Sequence, residues 1–146
     1  MPKAIAMLAL LAACSKDAAP HARVELVEAG PGEVADLVKA ELARASGKRV
    51  VVYVGAAWCG PCVDFHRAAE AGELDDSFRD VRFLELDYDR DQRRLAAAGY
   101  RSKMLPLFAI PGTDGTSTGK QVEGSRKEDP VGHLVPRLRA LLDETR

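Results

Sequence analysis

Hydrophobic positions along the chain fall into two rhythms. Val50-Val51-Val52-Tyr53-Val54 is an unbroken run rich in β-branched residues, the pattern of a strand buried on both faces. Arg23–Ala29 alternates weakly through Val24 and Leu26, which predicts an edge strand. Val81, Phe83, Leu84 and Leu86 predict a strand over Val81–Asp87, and Pro106–Ile110 predicts another. Between them the period changes. Val34, Leu37, Val38 and Leu42 recur at helical spacing over Glu33–Ala45, after the turn Gly30-Pro31-Gly32 and before Gly47. A helix is predicted over Cys59–Ala71, closed by Gly72, and Leu74 and Phe78 suit a short helical turn. Asp89 or Asp91 is the expected N-cap of a helix through Ala98, with Gly99 at its C-terminal cap. A loop over Pro111–Gly119 leads to Lys120–Glu123, closing a hairpin. Asp129-Pro130 then opens a last helix with Leu134, Leu138, Leu141 and Leu142 on one face. Pro136 either kinks that helix or delays its start.

The predicted order is strand, helix, strand, helix, strand, helix, strand, strand, helix. A crossover unit followed by an antiparallel hairpin and helix reads as an α/β fold, a central mixed β-sheet flanked by helices. A chain of 146 residues suits one domain and buries a core without a metal or disulfide staple. With 47% apolar and 29% charged residues it is a globular composition rather than a disordered one. Lys and Arg number 21 and Asp and Glu 22, so nothing points to a nucleic-acid partner.

The start of the chain has its own pattern. Ala4–Ala13 is apolar and too short to cross a bilayer as a helix, but it has the length of a signal-peptide core. It ends in Leu11-Ala12-Ala13-Cys14, which resembles a bacterial lipobox, where the signal is cut before a cysteine that then carries lipid. An ordinary secretory signal, or an apolar helix with a buried Cys14, is the alternative. The resemblance implies a lipoprotein signal peptide over residues 1–13, lipidation at Cys14, a tether over 14–22 and a folded domain over 23–146. Ser15–Ala22, fully extended, reaches about 26–29 Å, so the domain stays near its membrane. Ser15, rather than Asp, follows the cysteine, which favours the outer membrane over the inner. The expected location is extracytoplasmic, lipid-anchored on the periplasmic side.

The most informative segment is Trp58-Cys59-Gly60-Pro61-Cys62, directly after the buried strand and opening a helix. Cys-x-x-Cys in that setting reads as a redox motif. A thiolate, not a thiol, attacks disulfides, and the unpaired N–H groups and positive dipole end of a helix N-terminus stabilise it. Cys59 is therefore expected at that end, the more exposed of the two, as the attacking sulfur. Cys62, one turn further in, resolves the resulting mixed disulfide. Pro61 suits the first turn, where its missing N–H has no partner to lose, and Gly60 lets a substrate chain approach. A structural zinc site usually needs four ligands, and beyond this pair the chain offers only His21, His66 and His133, without a second Cys-x-x-Cys. The expected metal content is none. A soft-metal module handling copper with Cys59, Cys62 and His66 is the competing reading.

Trp58–Cys62 matches the active-site pentapeptide of thioredoxin, and the chain resembles that family over roughly Val24–Glu144. The resemblance implies the thioredoxin-like fold and a thiol:disulfide oxidoreductase that needs no cofactor beyond the Cys59–Cys62 dithiol. It also implies a cis proline at Leu105-Pro106, docking the substrate chain as an added strand. The segment Ala57-Trp58-Cys59…Cys62-Val63-Asp64-Phe65 is similar to the C-terminal periplasmic domain of DsbD and to secreted thioredoxin-like proteins. Disulfide-bearing protein substrates, a membrane electron donor of the DsbD or CcdA type and a monomeric state follow as expectations. Reduction potentials in this fold run from roughly −270 mV for thioredoxin to −120 mV for DsbA, a span of about 7 kcal/mol. Gly60-Pro61 resembles the reducing end.

Three positions depart from the resemblance. Tyr53 stands where thioredoxin has a buried Asp that handles protons for the second cysteine. Arg67 replaces a kinking proline, and a longer stretch before Pro106 puts Arg101–Met104 beside the substrate groove. His66 shares a helix face with Cys62. It is expected to be a partly exposed helix histidine, although a proton relay is conceivable. Tyr53 is expected in the core, and Arg90, Arg93 and Arg94 on a solvated face.

Overall fold

A computed structural model describes residues 23–146. The expected signal, lipidation site and tether (residues 1–22, Cys14 among them) lie outside the described residues. Five strands, β1 (Glu25–Glu28), β2 (Arg49–Gly55), β3 (Val81–Asp87), β4 (Leu107–Pro111) and β5 (Ser117–Glu123), form one sheet in the order β1-β3-β2-β4-β5. β1, β3 and β2 run parallel, β4 is antiparallel to β2, and β5 is antiparallel to β4. The helices are α1 (Val34–Arg44), α2 (Gly60–Glu70), α3 (Asp75–Phe78), α4 (Tyr88–Ala97) and α5 (Pro130–Glu144).

The β-branched run becomes the central strand because both faces of the sheet are covered. Val51 and Tyr53 face α2, α3 and α5, in a core with Phe65, Phe83, Phe108, Leu134, Leu138 and Leu142. Val52 and Val54 face α1 and α4, with Val34, Val38, Leu84, Leu86 and Leu95. The two-residue alternation along one strand thus separates two cores.

Two features differ from the sequence expectation, and a third settles an alternative that it left open. The N-cap of α4 is Asp87, whose carboxylate accepts from the Arg90 N–H at 2.9 Å, not Asp89 or Asp91. β5 begins at Ser117, because Ser117 pairs with Pro111 across a bulge that absorbs the irregular turn. Helix α5 starts at Pro130 and runs through Pro136, so the proline does not delay it. Gly99, with φ of 83°, follows α4 in the left-handed region, as its position predicts.

The end of the sheet where β1, β2 and β3 begin is closed by charge pairs. Arg82 donates to Glu41 and Glu25, and Lys48 also reaches Glu25. Arg49 donates to the Leu142 carbonyl and to the Thr145 hydroxyl (2.7 Å), capping α5 with a cation at its negative end. Arg139 forks onto both carboxylate oxygens of Asp80, at 2.8 and 3.2 Å.

Candidate active site

At the opposite end, where parallel β2 and β3 finish, β2 hands over to α2 through Ala56-Ala57-Trp58. Ligand sites of open α/β sheets form outside these carboxyl ends. Cys59 is the N-cap of α2, with extended backbone, and its sulfur accepts the Cys62 N–H at 3.3 Å. Cys59 and Cys62 are joined as a disulfide, with Cα atoms 5.2 Å apart. Gly60 and Pro61 occupy the first turn, where Pro61 loses no hydrogen bond.

Exposure differs from expectation. Cys59 is 5% exposed and Cys62 2%, so the first cysteine is only marginally the more open. Both pack with Ala56, and Tyr88 and Leu105 lean on them. What is exposed is Trp58, at 66%, held by an Nε1–H bond of 2.8 Å to Asp89 and an edge contact with Tyr88. Asp89, read from sequence as a cap, anchors this indole instead. Asp91 is buried and takes the Asp87 N–H while pairing with Arg90 and Arg94. Arg94, expected on a solvated face, also donates to the carbonyls of Gly30 and Gly32 at 2.8 Å.

Two openings flank the disulfide. One is a groove of about 390 Å³ lined by Trp58, Cys59, Pro61, Met104 and Leu105. The Leu105–Pro106 peptide is cis, and the Ser102–Met104 segment forms part of the groove wall. The other is a cleft of about 370 Å³ on the far side of α2's first turn, lined by Tyr53, Gly55, Cys62, His66 and Glu85 among others.

In this cleft His66 Nε2 lies 2.6 Å from Glu85 Oε1. The hydrogen bond to Glu85 holds the imidazole above its ordinary value, against the opposing effect of burial. Tyr53 sits in the core as expected, its ring stacked on Phe108 at 5.1 Å. Its hydroxyl, however, is buried and has no hydrogen-bond partner. Burial, and then the charge of Glu85, push that hydroxyl far above its usual range, so it stays protonated. Gly55 is required by the close approach: a Cβ there would stand 2.7 Å from the Tyr53 hydroxyl and 3.5 Å from Cys62 Cβ. Sequence reasoning missed Glu85, because nothing local ties it to His66. Only the strand register, Tyr53 opposite Glu85, brings them together. Among the described residues, no three His, Cys, Asp or Glu side chains are grouped as a metal site.

A family model described as Thioredoxin matches residues 34–135. Thioredoxin of Gallus gallus is 38% identical over 104 residues, covering 66% of this chain and 86% of its own. Thioredoxin H2 of Arabidopsis thaliana is 33% identical over 97 residues, covering 65% of this chain. The chain spans 66% of the length of that protein and 57% of thioredoxin F2 from the same plant, less than two thirds of each. Among solved structures, poplar thioredoxin h is 27% identical with a TM-score of 0.54, covering 82% of this chain and 97% of its own. Spinach chloroplast thioredoxin f is 27% identical with a TM-score of 0.51, covering 81% and 96%.

Proposed function

The chain belongs to the thioredoxin family, a family of thiol–disulfide oxidoreductases, and from that premise we propose that it reduces or interchanges disulfides of extracytoplasmic proteins. The observation that carries this reading is the position of Cys59: its sulfur is the N-cap of α2 and already accepts an N–H of the first turn. In the dithiol form the same N–H and the helix dipole favour a thiolate there. Cys59 attacks a substrate disulfide laid along the Leu105-Pro106 groove, forming a mixed disulfide and releasing one substrate thiolate. Cys62 then attacks Cys59, restores the ring and releases the second. Two electrons pass to the substrate, and a separate dithiol donor must return them, because the chain carries no nucleotide-binding motif. Leu105 and Pro106 dock the substrate, and Trp58, Gly60 and Pro61 shape the rim.

The sequence of residues 1–22 supports placing this activity outside the cytoplasm, with Cys14 lipidated and a membrane donor of the DsbD or CcdA type supplying electrons. Mass analysis of the N-terminal peptide tests the anchor: acyl groups on Cys14 are expected, and an unmodified Met1 would refute it. For the chemistry, Cys59→Ser is expected to abolish dithiothreitol-driven insulin reduction. Cys62→Ser should accumulate mixed disulfides with insulin. Undiminished turnover by Cys59→Ser would overturn the assignment.

A further inference from the structure

The resolving step needs the Cys62 thiol to lose its proton, and the acid that serves this purpose in the resemblance is replaced by Tyr53. We propose that the His66–Glu85 pair and the Tyr53 hydroxyl together handle the proton of Cys62, in the cleft they share with it. This rests on the oxidoreductase reading and deepens it.

Four observations support the assignment. Cys62 and His66 are one turn apart on α2, and a helical side chain leans back toward the preceding turn, so the imidazole lies on the Cys62 side of the helix. Tyr53 and Glu85 are register partners on β2 and β3, so both side chains leave the sheet on the face that α2 covers. The imidazole lies 2.6 Å from the Glu85 carboxylate and 5.7 Å, ring centre to ring centre, from Tyr53. The Tyr53 hydroxyl is buried without a partner, flanking the same point as Cys62. A buried hydroxyl without a partner is unfavourable, and this one gains an acceptor when the neighbouring disulfide opens to a thiolate.

The other charges around the imidazole do not replace this pairing. Glu70 lies on the same helix and adds a weaker negative field. Glu28 of β1, Asp87 of β3 and Arg90 of α4 line the cleft. Arg90 is engaged by Glu28 and Asp91, and Asp87 caps α4.

Glu85 occupies Nε2 and thereby orients the ring, leaving Nδ1 to exchange a proton. Once Cys59 is bonded to a substrate sulfur, the Cys62 S–H gives its proton to the neutral imidazole through water admitted to the cleft. Glu85 stabilises the imidazolium, and Tyr53 donates to the new thiolate. The thiolate attacks Cys59 Sγ. The Cys59–Cys62 bond forms, the bond to the substrate breaks, and the leaving thiolate takes a proton from solvent. The imidazolium returns its own proton to solvent. Glu85 acts here as a positioning residue.

The test is acid-quenched mass analysis of the full chain, reduced and then mixed with insulin, from pH 5 to 9. Wild type should show little mixed disulfide, and Cys62→Ser should trap it at every pH. His66→Ala and Glu85→Gln should slow its resolution about tenfold near pH 7. Both should converge with wild type above about pH 9, where a thiol ionises unaided. Tyr53→Phe, which keeps the ring, should slow resolution in the same pH-dependent way. Variants that resolve like wild type at all pH values, or that are slowed equally at every pH, would overturn the proposal. If Cys62→Ser traps nothing, the oxidoreductase reading itself fails, a different result from the failure of the relay.

Discussion

The two ends of the sheet are built to opposite rules. Where β1, β2 and β3 begin, almost every charge is met: Glu41, nearly buried, is held by Arg82 and Arg44, and Arg49 closes the last turn of α5. Where the same strands end, satisfaction is incomplete. A hydroxyl is buried without a partner, a histidine is tied to a single carboxylate, and the indole of Trp58 stands in solvent. The first arrangement stabilises one fixed geometry. The second keeps groups ready for a sulfur that changes its charge during the reaction, and a buried polar group left without a partner is what a redox or catalytic role explains.

Three substitutions probe this contrast. The largest effect on stability is expected at the paired end. Glu41→Ala leaves the Arg82 guanidinium short of its buried partner and should lower unfolding free energy by about 2 kcal/mol. Denaturant titration measures this, and insulin reduction at 25 °C should be unaffected. Equal loss of activity would show that the two ends are not independent. At the other end the sign reverses. Tyr53→Phe removes an unsatisfied hydroxyl and should raise the stability of the oxidised protein by about 1 kcal/mol, although it slows resolution. A destabilised Tyr53→Phe would mean that the hydroxyl has found an acceptor. The smallest effect is linkage at His66. Its folded value lies above the unfolded value of about 6.5. The stability it contributes is therefore fully present below that value and is lost as pH rises through the raised one. Because the ring is partly exposed the gain is small, and the difference in melting temperature between wild type and His66→Ala should shrink as pH rises above about 6.5.

Much of this organisation is legible in the chain. A β-branched run followed by Trp-Cys-Gly-Pro-Cys places a strand, a turn and a helix start in the right order, since each signal is local. Three alternating aspartates, at 87, 89 and 91, defeat local reading. Any of them suits an N-cap, and only the end of β3 decides that Asp87 caps while Asp89 turns to Trp58 and Asp91 is buried. Ser117-Thr118-Gly119 reads as loop because its residues favour turns, yet pairing with β4 makes it a strand. The His66–Glu85 contact spans 19 residues and two elements, so it depends on a register that periodicity does not specify. The near-equal burial of the two cysteines likewise comes from Tyr88 and Leu105 closing over them from distant segments.

Trp58 is the sole tryptophan of the chain, adjacent to the disulfide and largely open to water. Its emission therefore arises from one place, next to the sulfurs. Because a neighbouring disulfide quenches an excited indole, opening and closing of the ring can be followed in real time by intrinsic fluorescence, with no dye attached.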